Sequence, residues 1–506
     1  MALALALIAA QFAWRSYRTH RVFNDTADEE PHLLAGLEVW EHTRYTLEPQ
    51  HPPLARVVLA ALPYTAGLRS SGKDSWQQRD EEFYWRTLSL ARAANLLFLP
   101  LLIACAWRWG RELNGQWGGL GAAALVGFSP NLLAHASLAT LDFAAAATMF
   151  AACFNLWWWS QDPRGTGNWL VAAVSTALAV LTKFSALLVL PVTAAVFFVA
   201  ARGWPGFRRW ILWVVTSAVL VWAGYGFSVG PLPRAQFAAP PGTWQAEVQR
   251  WVEQKAGKTR LPAPQFVRGV LDVAGHDAQG HQSYLLGEVR QRGRWYYFPV
   301  ALALKSTLPL LILAAAGLLA GRNVLFPALA AGALLAVCMA SNLNLGVRHI
   351  LPVYPLLAVV GGSLLASRRK LVVVAACALT GWHAWEGVAA HPDYLTYFNQ
   401  SVRGREAEYL LDSNLDWGQD LERLRRYLED ERVTAVYLSF FGRGEPIRRR
   451  IPGVRPLPPN LRPAGWVAVS QAHLAGLALP GYNLGWLKGR QPRARIGKSI
   501  LVYYFP

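Results

Sequence analysis

Asp28-Glu29-Glu30-Pro31-His32 sets three carboxylates and a histidine a few residues after an apolar N-terminal stretch. Charged side chains are costly in lipid, so acids clustered where a hydrophobic segment ends point to a polar cavity at the water interface of a membrane protein. The rest of the chain agrees. Of its 506 residues 53% are hydrophobic, only 16% are charged and 23 are Trp, a composition that argues against a single soluble core. The net charge of +18 raises the question of nucleic acid. The Lys and Arg residues, however, are spread over short loops and a C-terminal region, which membrane topology and anionic lipid explain, so no nucleic-acid partner is expected. Cys105, Cys153, Cys338 and Cys377 all fall in apolar runs without metal or disulfide spacing.

Moving outward from residue 28, apolar runs recur near 87–107, 118–135, 143–159, 169–182, 184–201, 210–228, 295–319, 324–340, 350–366 and 371–389. With the N-terminal segment, read as uncleaved and reaching about residue 22, they make about eleven helices of bilayer-crossing length. The fold class expected is a polytopic α-helical membrane protein. Alternate loops carry Arg108, Arg111, Arg164, Arg202, Arg208, Arg209, Arg322, Arg368, Arg369 and Lys370, which the positive-inside rule assigns to the cytoplasm. Residues 23–86, the turns at Asp142 and Lys183, the loop 229–294, the turn 341–349 and the tail from 391 then face outside. Arg15, Arg18 and Arg21 run against that rule. The reading divides the chain into a membrane module, 1–390, with amphipathic helices in 23–86, and an outer α/β domain, 391–506. In the tail, Leu421, Leu424 and Leu428 form a helical stripe, Val433–Phe441, Trp466–Ser470 and Ile500–Phe505 read as strands, and Pro446–Pro463 reads as a loop.

The ionisable residues that lack a structural excuse gather on this outer face: Asp28 and Glu29 at the end of the first helix, then Asp142, Lys183, Arg348 and His349. Two carboxylate sites opposite two or three cations suit transfer from a phosphate-linked donor, where a base takes an acceptor proton and cations neutralise the leaving phosphate. Bland readings stand beside these. Asp142 fits an N-cap for 143–159, Lys183 a snorkelling side chain, and Arg348 a partner for lipid phosphate. Arg92, inside a helix, is expected to face the bundle interior. His32 and His51 lack metal-type spacing. In Asp412-Ser413-Asn414-Leu415-Asp416-Trp417-Gly418-Gln419-Asp420, Trp417 and Arg423 stand where a calcium loop needs glycine and glutamate, so Asp416 is read as a helix N-cap with Gln419 as its partner.

At these residues the chain resembles the phospholipid-carrier-dependent glycosyltransferases of the GT-C fold, related to protein O-mannosyltransferases and bacterial lipid A aminoarabinose transferases. The resemblance runs through Asp28-Glu29 with His32 and Gly36, Glu48-Pro49-Gln50-His51-Pro52-Pro53-Leu54-Ala55, Ser129–His135 leading to Asp142, Leu181-Thr182-Lys183, Trp295–Pro299 with Lys305, Arg348–Pro355, and Tyr397 to Asp420. Glu30-Pro31 and Val402-Arg403-Gly404 depart from the usual pattern. The resemblance implies a mannosyltransferase-like enzyme of a bacterial inner membrane. Its substrates would be a polyprenyl-phosphate-sugar donor and a protein, lipid or glycan acceptor, and its outcome inversion. Asp28 is then the expected base, Glu29 and Asp142 its catalytic companions, and Lys183, Arg348, Arg92, His51, His32 and His349 the binders of sugar and lipid phosphate. No cofactor is required by this reading, and a divalent cation is left open. The rivals are a transporter or flippase of a lipid-linked or small polar substrate, and a scaffold that binds through the tail.

Overall fold

Helix α1 (Ala2–Tyr17) stops well before the acidic stretch. Residues 18–28 run as a turn-rich connection in which Asn24, Asp25 and Thr26 are buried, and such short polar side chains compete with helical hydrogen bonding. Asp28 and Glu29 therefore do not end the first helix. They open the second, α2 (Glu29–His42), with Asp28 at its N-cap position and Glu29 and Glu30 in its first turn, where the helix dipole favours acids. The computed structural model describes residues 1–506 apart from 166, 257, 258 and 480 and the side chain of Arg322. The cytoplasmic assignment of the Arg322 charge and two positions of the loop 229–294 thus lie outside the described residues.

Helix α3 (Pro53–Thr65) begins with proline at its first turn, a position where the missing N–H costs nothing. Gly36 brings α3 against α2, since a side chain there would run into the carbonyl of Arg56. Helix α4 (Glu81–Asn95), capped by Asp80, runs through one tight turn into α5 (Leu99–Gly127). Inside α5, Asn114 and Gly115 leave helical geometry, Gly115 with a φ of 73°, which glycine adopts without steric cost.

Next come α6 (Pro130–Ala136), α7 (Leu141–Gln161), α8 (Asn168–Thr182), α9 (Ala186–Ala200) and α10 (Phe207–Gly224). The long loop holds the strand pair β1 (Val229–Gly230) and β2 (Leu261–Pro262), the helices α11 (Trp244–Ala256) and α12 (Pro264–Gln279), and a hairpin of β3 (Ser283–Leu285) and β4 (Glu288–Arg290). Helices α13 (Tyr297–Lys305) and α14 (Leu308–Ala320) meet at a 113° bend. They are followed by α15 (Leu325–Met339), α16 (Val353–Gly362) and α17 (Lys370–Ala389).

Among the described residues four helical stretches, with α4 and α5 counted as one, are long and apolar enough to cross a membrane, and the bent α13–α14 pair makes a fifth; α8, α9, α15 and the stretch Val353–Ala366 are apolar but shorter. The chain is a multi-pass membrane protein. Of the crossing segments α7 is 89% buried whereas α10 and α17 are 17% and 22% buried. Helix α7 is therefore the central post of the bundle and the other two present apolar surface to lipid.

The tail contains a one-turn helix α18 (Glu406–Tyr409), α19 (Leu421–Asp430), and a five-stranded sheet in the order β6-β5-β7-β9-β8. The strands are β5 (Val436–Ser439), β6 (Val454–Pro456), β7 (Gly465–Ser470), β8 (Ala494–Ile496) and β9 (Ile500–Phe505), with α20 (Glu445–Arg448) after β5 and α21 (Gln471–Leu474) after β7. The three sequence-read strands are all present. The stretch read as a loop, 446–463, contains most of α20 and the edge strand β6. Alternation sorts the sheet's two faces. Val436, Leu438, Ala468, Ile500 and Val502 pack with Leu421, Leu424 and Leu428 and join one core with Leu33, Leu37, Leu59 and Trp85 of the segment 23–86. Val467, Val469, Leu501, Tyr503 and Phe505 form a separate core on the other face.

That shared core explains how α19 starts. Asp416 does not cap it: its carboxylate accepts from the Ala472 N–H instead. The N–H groups of Leu421 and Glu422 donate to Asn24 Oδ1 at 2.8 and 3.3 Å, across 397 and 398 positions of sequence. Asn24 Nδ2 in turn donates to the Gly418 carbonyl at 2.7 Å.

Candidate active site

Four residues singled out from sequence converge with a fifth from the tail. Asp28 sits at the start of α2, Asp142 in the first turn of α7, Lys183 just past α8, Arg348 in the tight turn Val347–Ile350, and Trp417 in the tail. They make an alternating row of charge. Arg348 donates to Asp28 Oδ2 at 2.5 Å and lies 4.0 Å from Asp142 Oδ2, while Lys183 Nζ donates to Asp142 Oδ1 at 2.7 Å. His135 Nδ1 stands 3.9 Å from Asp142 Oδ2. Asp142 is not the N-cap the sequence suggested, because Thr140 holds that position and the Asp142 carboxylate is turned to the two cations. The Lys183 ammonium is likewise ion-paired with Asp142.

The row opens at one end. The Asp28 side chain is 34% exposed and Asp142 only 3%, so Asp28 is open to solvent while Asp142 is buried against both cations. The Arg348 guanidinium carbon lies over the Trp417 ring, 4.4 Å from its centroid, an attraction of cation to ring quadrupole. Burial works against the charge on Arg348, but Asp28, Asp142 and Asp412 outweigh it and raise the pKa above the ordinary guanidinium value. Arg348 Nε has no hydrogen-bond partner among the described residues.

His32 and His51 form a second layer. Their rings meet edge to face with centroids 5.2 Å apart. Arg56, fully buried, donates to His32 Nδ1 at 3.2 Å and to the Tyr45 hydroxyl at 2.9 Å, and is ion-paired with Glu48. Burial, reinforced by Arg56 and by the nearby Arg348 and Lys183 charges, holds His32 well below the usual histidine range, and burial and Arg56 do the same for His51. His349, half-buried beside Phe298, is lowered by burial and by Lys183 and Arg348. All three rings are neutral near pH 7, and they are suited to hydrogen bonding with a sugar rather than to pairing with phosphate.

Glu29 and Arg92 are corrected by the structure. Glu29 is fully buried and accepts from Arg92 Nε and Nη2, from Thr26 N and from Ala139 N at 2.7–2.8 Å. Arg92 spends its remaining donors on the carbonyls of His20, Phe23 and Asn24 at 2.7–2.9 Å. A guanidinium has five N–H donors. All are used, so Arg92 has none for a lipid phosphate, and Glu29 has no free oxygen for a substrate. The pair is a girder that ties α2, α4 and the turn before α7 together.

Sequence reasoning missed Trp417, Arg56 and His135. Trp417, a misfit in a calcium loop, and His135 stand inside stretches that carry the resemblance but were given no role, and Arg56 lies one residue beyond the Glu48–Ala55 stretch. Lys305 is buried and donates to the carbonyls of Leu395 and Asn414, both at 2.7 Å, anchoring the tail. A divalent cation finds no donor set here. Among the described residues no three His, Cys, Asp or Glu side chains converge, and Asp28 and Asp142 already face cations.

Comparison with known proteins places this geometry. Residues 4–240 match the family model for dolichyl-phosphate-mannose-protein mannosyltransferase. The crystal structure of ArnT from Cupriavidus metallidurans bound to undecaprenyl phosphate matches with a TM-score of 0.51 at 16% identity, covering 98% of this chain and 97% of that one. The apo form of the same ArnT matches at 0.48 and 18% identity, over 80% and 68% of the two chains. An Archaeoglobus fulgidus oligosaccharyltransferase matches at 0.41 and 12% identity, over 76% and 56%. No curated protein matches. The fold is that of ArnT, a GT-C membrane protein, as the sequence resemblance implied. Residues 4–240, a little under half of the chain, are similar to the dolichyl-phosphate-mannose-protein mannosyltransferases.

Proposed function

We propose that this protein transfers a sugar from a polyprenyl-phosphate-linked donor to an acceptor hydroxyl of a protein, lipid or glycan, at the extracytoplasmic face of a bacterial inner membrane. About eleven spans fit this reading, the shorter apolar helices completing the bundle as tilted or broken crossings. The Asp28–Arg348–Asp142–Lys183 row carries it. A donor phosphate entering beside Lys183 and Arg348 draws Arg348 off Asp28, which frees the Asp28 carboxylate to take a proton. The acceptor hydroxyl gives its proton to Asp28 as its oxygen bonds to the anomeric carbon. The carbon–oxygen bond to phosphate breaks with its electron pair on the phosphate, where Lys183 and Arg348 offset the growing charge. One displacement inverts the anomeric centre. ArnT, whose fold this chain resembles, binds undecaprenyl phosphate, a ligand of the proposed donor class.

The test is transfer by the purified full chain from a polyprenyl-phosphate-linked mannose to an acceptor mixture. Asp28→Asn is expected to lose about a hundredfold or more in kcat. Full transfer by that variant would remove Asp28 from its role.

A further inference from the structure

The tail carries a second concentration of charge, remote in sequence from the carboxylate row. Residues 443–506 contain 11 Lys and Arg against the single acid Glu445. On this part of the tail a cleft of about 530 Å³ is lined by Arg462, Arg490, Arg493, Tyr503, Tyr504 and Phe505. Its arginines are held by aromatic faces. Arg462 and Arg490 lie 4.4 and 5.9 Å from the Phe505 centroid, and Arg493 lies 4.9 Å from that of Trp466.

Stacking fixes a guanidinium plane while leaving its edge donors open. Arg462 makes no ion pair or hydrogen bond among the described residues. Arg490 makes only the bond from its Nε to the Trp486 carbonyl, and Arg493 only a 3.4 Å pair with the exposed Glu431. Both edge strands add to the field, with Arg455 exposed on β6 and Arg495 on β8. Arginines oriented in this way and short of acids match the tetrahedral oxygens of phosphate.

We propose that this cleft is a second anion site that binds a phosphate group, with Arg462 and Arg490 as its principal donors and Tyr504, 49% exposed, as an apolar wall for whatever the phosphate is attached to. The phosphate belongs either to a lipid headgroup or to a free phosphate anion. Such a site holds a phosphate-bearing molecule on the tail independently of the donor phosphate at Lys183.

The experiment is equilibrium binding to the purified full chain in a neutral detergent, once with inorganic phosphate and once with short-chain dihexanoyl phosphatidic acid. Wild type, Arg462→Gln/Arg490→Gln and Arg462→Gln alone are compared. The expected result is saturable binding that the double variant weakens about tenfold or more while its melting temperature without ligand stays at the wild-type value. Arginine-dependent binding of the lipid alone assigns the site to a headgroup, and binding of inorganic phosphate as well assigns it to the phosphate group itself. Binding of neither probe, or equal binding by wild type and the double variant, overturns the proposal. Should the double variant fail to fold, Arg462→Gln binding as tightly as wild type overturns it equally.

Discussion

Asp28 and Glu29 are neighbours of one residue type, and the fold gives them opposite work. Asp28 is one-third exposed, meets a cation that also faces Asp142, and ends a row that opens to solvent. Glu29 is fully buried, and Arg92 beside it has every donor engaged. The difference is what remains unsatisfied. A cation with spare hydrogen-bonding capacity, such as Arg348 with its free Nε, can exchange a protein carboxylate for a substrate phosphate. A saturated pair can only hold the structure.

That contrast can be broken by measurement. Glu29→Gln is expected to have the largest effect, because it strands the Arg92 charge in the interior and points an amide N–H at groups that are themselves donors. The loss is about 3–5 kcal/mol of stability, seen as low yield and a depressed melting temperature in detergent, and normal yield with normal transfer would erase the distinction. Asp28→Asn is expected to do the reverse, with the melting temperature kept and kcat lost. A variant that unfolds would return Asp28 to a structural role. Lys183→Gln should raise the donor KM about tenfold with a smaller change in kcat, read from initial rates at varied donor; an unchanged KM would detach Lys183 from the phosphate. Trp417→Phe keeps a ring beneath Arg348 and should raise the donor KM about threefold, in keeping with a cation–π contact worth ~0.5–2 kcal/mol. An unchanged KM would leave Trp417 as packing alone.

The last effect is read against pH and concerns the tail. Asp416 is buried, and burial pushes its carboxyl from 3.8 up to about 8. The folded state therefore favours the neutral acid. Its contribution to stability is complete below pH 3.8 and is lost as the pH rises toward 8. Asp416→Asn, neutral throughout, should melt with wild type below pH 3.8 and progressively above it as the pH rises toward 8. Parallel curves over that range would show that the acid is not buried in the charged form.

How much was legible in sequence follows from the range of the forces involved. Helix positions were readable because apolar runs announce themselves locally; the expected segments 143–159, 169–182, 184–201 and 371–389 lie within two residues of α7, α8, α9 and α17 at each end. The three long tail strands were readable for the same reason, and the short edge strands β6 and β8, with few residues to carry a pattern, were not. The acidic pair, Asp142, Lys183 and Arg348 also stood out in the sequence, since an ion beside lipid is conspicuous wherever it lies. Helix starts were misread where the cap comes from afar. Asp416 had the right spacing to cap α19, but Asn24 performs the capping because one core joins the tail to the segment 23–86.

The amino-acid sequence thus determined the membrane class, the placement of its helices and a short set of charged candidates, all properties of local composition and period. Only the tertiary structure decided which of those charges remain open for chemistry. Whether an acid serves a reaction or the fold depends on how many donors surround it, and those of Glu29 come from residues 26, 92 and 139, brought together by packing and not by any pattern along the chain.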